Sequence, residues 1–232
     1  MRIFANISWL IATIIIFTAL GLLILLFHFV PEPMAPKISA WFIRLTSFFS
    51  VDIEGKEDPK ANMILLNHQS DMDIAIMETC TKKDLAWVAK KELFDIPFFG
   101  YALKLPRDIP VERESKTSLI KLVKDVKSRL DLGKTITMFP EGTRSTKGKM
   151  LPFKAGAKMI ADKYKLTVQP VVIMQSSKYY NIKKYYYKPG RLKLIYLDSF
   201  VADKRDENWL KDLRQKMQKV YDDELANNPR HR

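Results

Sequence analysis

Residues 7–30, "ISWLIATIIIFTALGLLILLFHFV", run for 24 positions with no formal charge apart from the ionisable His28. This stretch limits the folds open to the chain more than any other. As a helix it would reach about 36 Å, enough to cross a hydrocarbon core of about 30 Å. A signal peptide has a shorter apolar centre followed by small residues at a cleavage site. Here "PEPMAP" follows instead, and Arg2 is the one basic residue before the run. A buried core helix is the alternative, disfavoured because soluble helices rarely lack polar residues on every face. After the prolines comes "KISAWFIRLTSFFSV", with Ile38, Trp41, Phe42 and Leu45 at helical spacing and Lys37 and Arg44 as its charges. Trp and Phe favour the membrane interface. Residues 1–50 therefore read as a membrane-anchoring helical element, which either spans once or hooks into one leaflet as a helical hairpin.

Residues 51–232 read as one further domain, since no Pro-, Gly- or Ser-rich linker interrupts them. The chain carries a formal net charge of +13, and positions after 50 hold 36 basic against 25 acidic residues. Such an excess favours an anionic partner: nucleic acid, anionic lipid or a phosphorylated substrate. By the positive-inside tendency this domain is expected on the cytoplasmic face of a membrane. Cys80 is the single cysteine, which excludes an intrachain disulfide and a multi-cysteine zinc site.

Apolar runs suited to buried strands recur at 63–66 (MILL), 85–89 (LAWVA), 135–139 (TITMF), 168–174 (VQPVVIM) and 192–197 (LKLIYL). Helical patterns lie between and after them, at 115–132, 154–164 and 206–226. In the first, Leu119, Leu122, Val123, Val126 and Leu130 form one stripe, and Gly133 stands where a helix would stop. The alternation predicts an α/β fold with a mixed, largely parallel sheet flanked by helices.

Three stretches carry chemistry. "NHQSDMD", 67–73, follows the strand MILL and precedes a helical pattern, so His68 falls in a strand-to-helix turn, where ligands commonly bind in such sheets. Ser70 and Asp73 have the spacing of a capping box. Equally, a carboxylate can hold the second ring N–H of a histidine that takes a proton. Within a helix Asp71 would be the nearer partner; with His68 in the preceding turn, Asp73 can reach back. "FPEGTRS", 139–145, follows the strand TITM, and its Arg144 after a Gly turn offers a phosphate a bidentate fork beside backbone N–H groups. An ordinary turn with a surface salt bridge has the same letters. "KLPRDIPVER", 104–113, brings Lys104, Arg107 and Arg113 into an ordered loop or edge strand, as two prolines require. "KYYNIKKYYYKPGRLK", 178–193, interleaves Lys with Tyr, as a lipid-contacting loop, a single-stranded nucleic-acid platform or a plain exposed hairpin would.

Together these stretches resemble the glycerolipid acyltransferase family, in particular its bacterial 1-acyl-glycerol-3-phosphate type. "NHQSDMD" fits NHxxxxD, "FPEGTRS" matches letter for letter, "IPVER" ends in the arginine of the intervening block, and "VQPVVI" matches a proline-containing strand. The resemblance covers about residues 50–200. It implies transfer of a fatty acyl group from acyl-CoA or acyl-carrier protein to a glycerophospholipid hydroxyl. It implies His68 as general base with Asp73, not Asp71, as its partner. Arg113, Glu141, Gly142, Thr143 and Arg144 then match acceptor-binding positions, with Lys104 added as a cation for the phosphate or the oxyanion. The implied partners are membrane lipid and lysophospholipid, with no metal, no cofactor beyond the acyl donor, no acyl-enzyme on Cys80 and no nucleic acid. Two letters depart from the pattern: Glu112 stands where Asp is common, and Asp71 where an apolar or aromatic residue is usual. Both bear on acceptor preference. A membrane-tethered basic module binding anionic lipid or nucleic acid would explain the charge and anchor, but leaves both motifs to chance.

Overall fold

Two prolines decide how the molecule begins. The computed structural model describes residues 2–112, 116–145, 148–181 and 186–228. Helix α1 (Arg2–Leu26) ends before Pro31 and Pro33, and α2 (Met34–Thr46) runs back along it. The pair packs closely because its contact is built of small residues: Ala19, Ala35 and Ala40 are buried, and Ser39 Oγ donates to the Ala19 carbonyl at 2.8 Å. Among the described residues no helix is long and apolar enough to cross a membrane. Of the two arrangements the sequence leaves open, a single span or a helical hairpin, α1 and α2 have the form of a hairpin, the first leg packed against the second. The second leg also ends earlier than its periodicity suggests. The chain turns through Phe48, at φ 48°, and Phe49 already begins a strand.

The strands and helices that follow are β1 (Phe49–Glu54), β2 (Met63–Leu66), α3 (Met72–Cys80), β3 (Leu85–Lys90), α4 (Lys91–Phe94), α5 (Phe99–Lys104), β4 (Ile109–Val111), α6 (Lys116–Asp131), β5 (Thr135–Met138), α7 (Ala155–Tyr164), β6 (Thr167–Ile173), β7 (Tyr180–Asn181), β8 (Tyr186–Tyr187), β9 (Gly190–Tyr196), β10 (Phe200–Val201) and α8 (Trp209–Asn227). The main sheet has the order β1-β9-β6-β2-β5-β3-β4, with β10 beside β6. All pairings are parallel except those of β9 and β10 with β6. This is the mixed, largely parallel sheet predicted. β4 is its edge strand, where Pro110 costs no ladder hydrogen bond on the open side.

The central strands are apolar on both faces because both faces are covered. Along β2, Met63 and Leu65 join one core with Leu122 and Val126 of α6, Ile160 of α7 and Leu213 and Met217 of α8. Ile64 and Leu66 join the opposite core with Ile76 and Met77 of α3, against which Ile16 and Ile43 of the hairpin also pack. α6 ends at Gly133, φ 75°, with the Gly133 N–H on the Leu130 carbonyl and the Lys134 N–H on that of Arg129, both bonds of a Schellman stop. Tyr180–Asn181 (β7) and Tyr186–Tyr187 (β8) pair antiparallel as a small separate sheet.

Because β2, β3, β4, β5 and β6 are mutually parallel, the residues that follow them emerge at one edge of the sheet. The turns after β2 and β5 are neighbours there, and they carry the two motifs.

Candidate active site

His68 lies in the turn between β2 and α3, and its Nδ1 is 2.9 Å from Asp73 Oδ2. The same oxygen accepts the backbone N–H of Gln69 at 2.7 Å and of Ser70 at 2.9 Å. Asp73 is 0% exposed. Of the expected capping box only the bond from the Ser70 N–H to Asp73 forms: the helix N-cap is Asp71, and the Ser70 hydroxyl donates to the Tyr180 carbonyl instead. An ionised carboxylate only accepts hydrogen bonds, so Nδ1 must carry the proton; in the neutral ring, Nε2 then holds the free lone pair. Asp71 turns away and pairs instead with the Arg144 guanidinium.

The imidazole plane is fixed from behind. Phe139 stacks on it with ring centroids 3.7 Å apart and planes 15° apart, and Trp87 stacks on Phe139 at 5.3 Å. Trp87 is in turn held by Glu78 Oε1, which accepts its indole N–H at 2.8 Å. Burial pushes the Glu78 carboxyl above its usual value, partly offset by Lys37 and by that indole bond.

The second motif is laced to the first through the backbone. Glu141 Oε1 accepts the His68 N–H at 2.9 Å, and its Oε2 accepts that of Leu151 at 2.7 Å. The His68 carbonyl accepts the Ser145 N–H at 2.8 Å. Burial raises the Glu141 carboxyl, while its two N–H partners pull it back down. Glu141 is therefore buried and turned inward, holding the two turns together rather than facing an open acceptor site. Gly142 sits at φ 72°, a left-handed position that suits glycine, and it lets the chain reverse between Glu141 and the exposed Thr143. Arg144 is partly exposed beside Asp71.

The parallel crossover separates the remaining candidates. After β3 the chain returns through α4 and α5 toward the start of β4, carrying Lys104 away from the edge that holds His68. The Lys104 ammonium lies 5.9 Å over the Tyr101 ring, and Arg107 pairs with Glu32 of the hairpin turn at 3.3 Å. Arg113 lies outside the described residues. Cys80 ends α3, its thiol raised by burial. Among the described residues no group of three His, Cys, Asp or Glu side chains is gathered to hold a metal ion.

Four residues without an assigned role in the sequence complete the site. Asn67 clamps the end of β2 to β6, its Oδ1 accepting the Ile173 N–H at 2.7 Å and its Nδ2 donating to the Ile173 carbonyl at 2.9 Å. Phe139 supplies the stacking face and Ser145 the bond to His68. Tyr221 of α8 accepts the Gln69 side-chain N–H at 2.9 Å. Asn67, Phe139 and Ser145 stand inside the motifs, which was their one signal; Tyr221 had none.

The two motifs thus place a histidine held by a buried carboxylate, and an arginine paired with a second carboxylate, at one edge of the largely parallel sheet. The chain belongs to the acyltransferase family, whose sequence model matches residues 41–174, and the protein is an O-acyltransferase. It is similar to the 1-acyl-sn-glycerol-3-phosphate acyltransferase of Helicobacter pylori, 42% identical over 180 residues covering 75% of this chain and 76% of that one. The enzyme of the same name from Pseudomonas aeruginosa is 31% identical over 157 residues, 66% of this chain and 58% of that protein. In fold it is similar to the 1-acyl-sn-glycerophosphate acyltransferase PlsC of Thermotoga maritima, with a TM-score of 0.75 over 97% of this chain and 96% of that one at 24% identity.

Proposed function

We propose that the enzyme moves a fatty acyl group from acyl-CoA or acyl-carrier protein to the free hydroxyl of 1-acyl-sn-glycerol-3-phosphate, forming phosphatidate. The observation that carries this reading is the His68 Nδ1–Asp73 Oδ2 bond of 2.9 Å to a fully buried carboxylate. His68 Nε2 takes the acceptor's hydroxyl proton as its oxygen attacks the thioester carbon. Asp73 stabilises the imidazolium that forms, as general-base catalysis needs. The tetrahedral intermediate collapses, the carbon–sulfur bond breaks, and the leaving thiolate takes the proton from His68. Arg144 holds the acceptor phosphate, with Arg113 as its expected companion. Neither a metal nor an acyl-enzyme takes part.

We further propose that α1 and α2 seat the enzyme in a single leaflet, with residues 51–232 on the cytoplasmic face. The support is apolar side chains left open to solvent on both helices and just beyond each, Phe17, Trp41 and Leu45 among them, with Phe29 and Phe48 each 77% exposed. A bilayer removes such surface from water, at about 25 cal/mol per Å².

The test is thiol release from acyl-CoA and from acyl-carrier protein by the full chain in lipid micelles. Lysophosphatidate, glycerol-3-phosphate and phosphodiester lysophospholipids serve as acceptors. Release that depends on lysophosphatidate and disappears in His68→Ala supports the reading. Release with another acceptor only would reassign the substrate, and release retained in the variant would remove His68 from the mechanism.

A further inference from the structure

Of the two residues that depart from the family pattern, Asp71 is the one that touches Arg144. It stands three positions after His68 and two before Asp73, at the start of α3. There its side chain makes no capping bond to the helix, although a negative charge at a helix N-terminus is favourable in itself. Arg144 and Asp71 side chains are 32% and 45% exposed, which leaves the pair open to exchange with a dissolved anion. Tyr180 lies within electrostatic reach of both members. That residue is 3% exposed, its carbonyl accepts the Ser70 hydroxyl at 2.8 Å, and its phenol is pushed up to about 12, chiefly by burial and then by the charge of Asp71. The phenol is therefore neutral at physiological pH and competes for neither charge. The pair has Arg144 as its cation and Asp71 as its anion.

We propose that Asp71 is a built-in counter-ion for Arg144: it occupies the guanidinium in the empty enzyme, is displaced by the acceptor's phosphate, and re-pairs as product leaves. This rests on Arg144 being the phosphate contact. Substrate and product carry the same phosphomonoester, so the exchange weakens binding of both to the same degree. A guanidinium left bare would hold product as firmly as substrate and slow turnover. An exposed pair of this kind is worth up to about 1 kcal/mol, which converts to a few-fold in affinity.

The experiment is steady-state kinetics of the full chain in mixed micelles, with lysophosphatidate as varied acceptor and phosphatidate as product inhibitor. Asp71→Asn, Arg144→Ala and the double variant are compared with the unaltered enzyme. Asn is also well accepted at a helix start, so the first variant keeps the local fold. Asp71→Asn should lower the acceptor KM and the phosphatidate inhibition constant together, by about two- to five-fold, and leave the acyl-donor KM unchanged. Arg144→Ala should raise the acceptor KM about tenfold or more, and adding Asp71→Asn to it should change nothing further. An acceptor KM that is unchanged or raised in Asp71→Asn overturns the proposal. So does a decrease that persists without Arg144, since the effect would then come from the general field of a carboxylate. If Arg144→Ala itself leaves the acceptor KM alone, the phosphate assignment of Arg144 fails first, and the counter-ion with it.

Discussion

The two edges of the sheet hold their carboxylates by different means. At the edge where β2 and β5 end, Asp73 and Glu141 are all but inaccessible, and between them they accept four backbone N–H groups. At the edge where β3 and β5 begin, charge answers charge. Lys134, 3% exposed, lies 2.8 Å from Asp84 and 3.4 Å from Glu32 of the hairpin turn. Nearby, Lys37 of α2 donates to the carbonyls of Thr81 and Lys83 at 3.2 and 2.7 Å. An ion pair cancels its charges, whereas neutral N–H donors fix a carboxylate in place and leave its charge intact. On the mechanism proposed above, the first edge keeps a negative charge to face an imidazolium; the second uses its charges to fasten the hairpin to the domain.

If this contrast is right, the largest effect belongs to the first edge and falls on activity. His68→Ala should lower kcat by roughly 10²- to 10⁴-fold, as loss of a general base does, while the urea midpoint falls only modestly from the lost Phe139 stacking and Asp73 bond. Glu141→Ala should affect both quantities. It leaves the His68 and Leu151 N–H groups without their acceptor, at about 1–3 kcal/mol each, and activity should fall because His68 is no longer held. Thermal unfolding beside thiol release reads the two together, and a variant of full stability and full activity would refute the role given to Glu141. Lys134→Met should do the reverse. A loss of about 1–2 kcal/mol is expected, because Asp84 and Glu32 remain partly solvated, with kcat for a water-soluble donor unaltered.

The smallest effect is one of pH. Asp108 accepts the Trp87 N–H at 2.9 Å, and burial raises its carboxyl well above the ordinary 3.8. A carboxyl raised on folding favours the native state at pH below its ordinary value, and this contribution is lost as pH rises through the raised value. Asp108→Asn keeps the acceptor oxygen and removes the titration. The fall in urea midpoint between acid and neutral pH should therefore be shallower in the variant, and an equal slope would show that Asp108 does not titrate in that range.

Much of the fold could be read from hydrophobic runs alone. MILL and LAWVA are strands because parallel strands covered on both faces are apolar throughout, and that pattern is local. β1 was hidden for the opposite reason. Phe48 and Phe49 continue the aromatic rhythm of α2, and only the partner strand β9, far along the chain, draws Phe49–Glu54 into the sheet. In the site, the spacing of His68 left Asp71 and Asp73 both open as partners, because it depends on whether the histidine sits in the helix or in the turn before it; the family resemblance pointed to Asp73, which the structure places on Nδ1. Glu141 was not legible as an inward residue: a carboxylate between Pro140 and Gly142 reads as an exposed turn, and its two partners come from elsewhere in the chain. Lys104 was placed by its charge and its nearness in sequence to Arg113. The return crossover through α5, which no residue pattern announces, carries it away.

The Glu141 carboxylate has one further consequence, for anyone recombining such enzymes. It reaches 73 positions back along the chain to His68 and ten forward to Leu151. Grafting either turn alone onto another scaffold would bring a donor without its acceptor, or an acceptor without its donors. The unit that can be transplanted is the pair of turns with the strands that set them side by side.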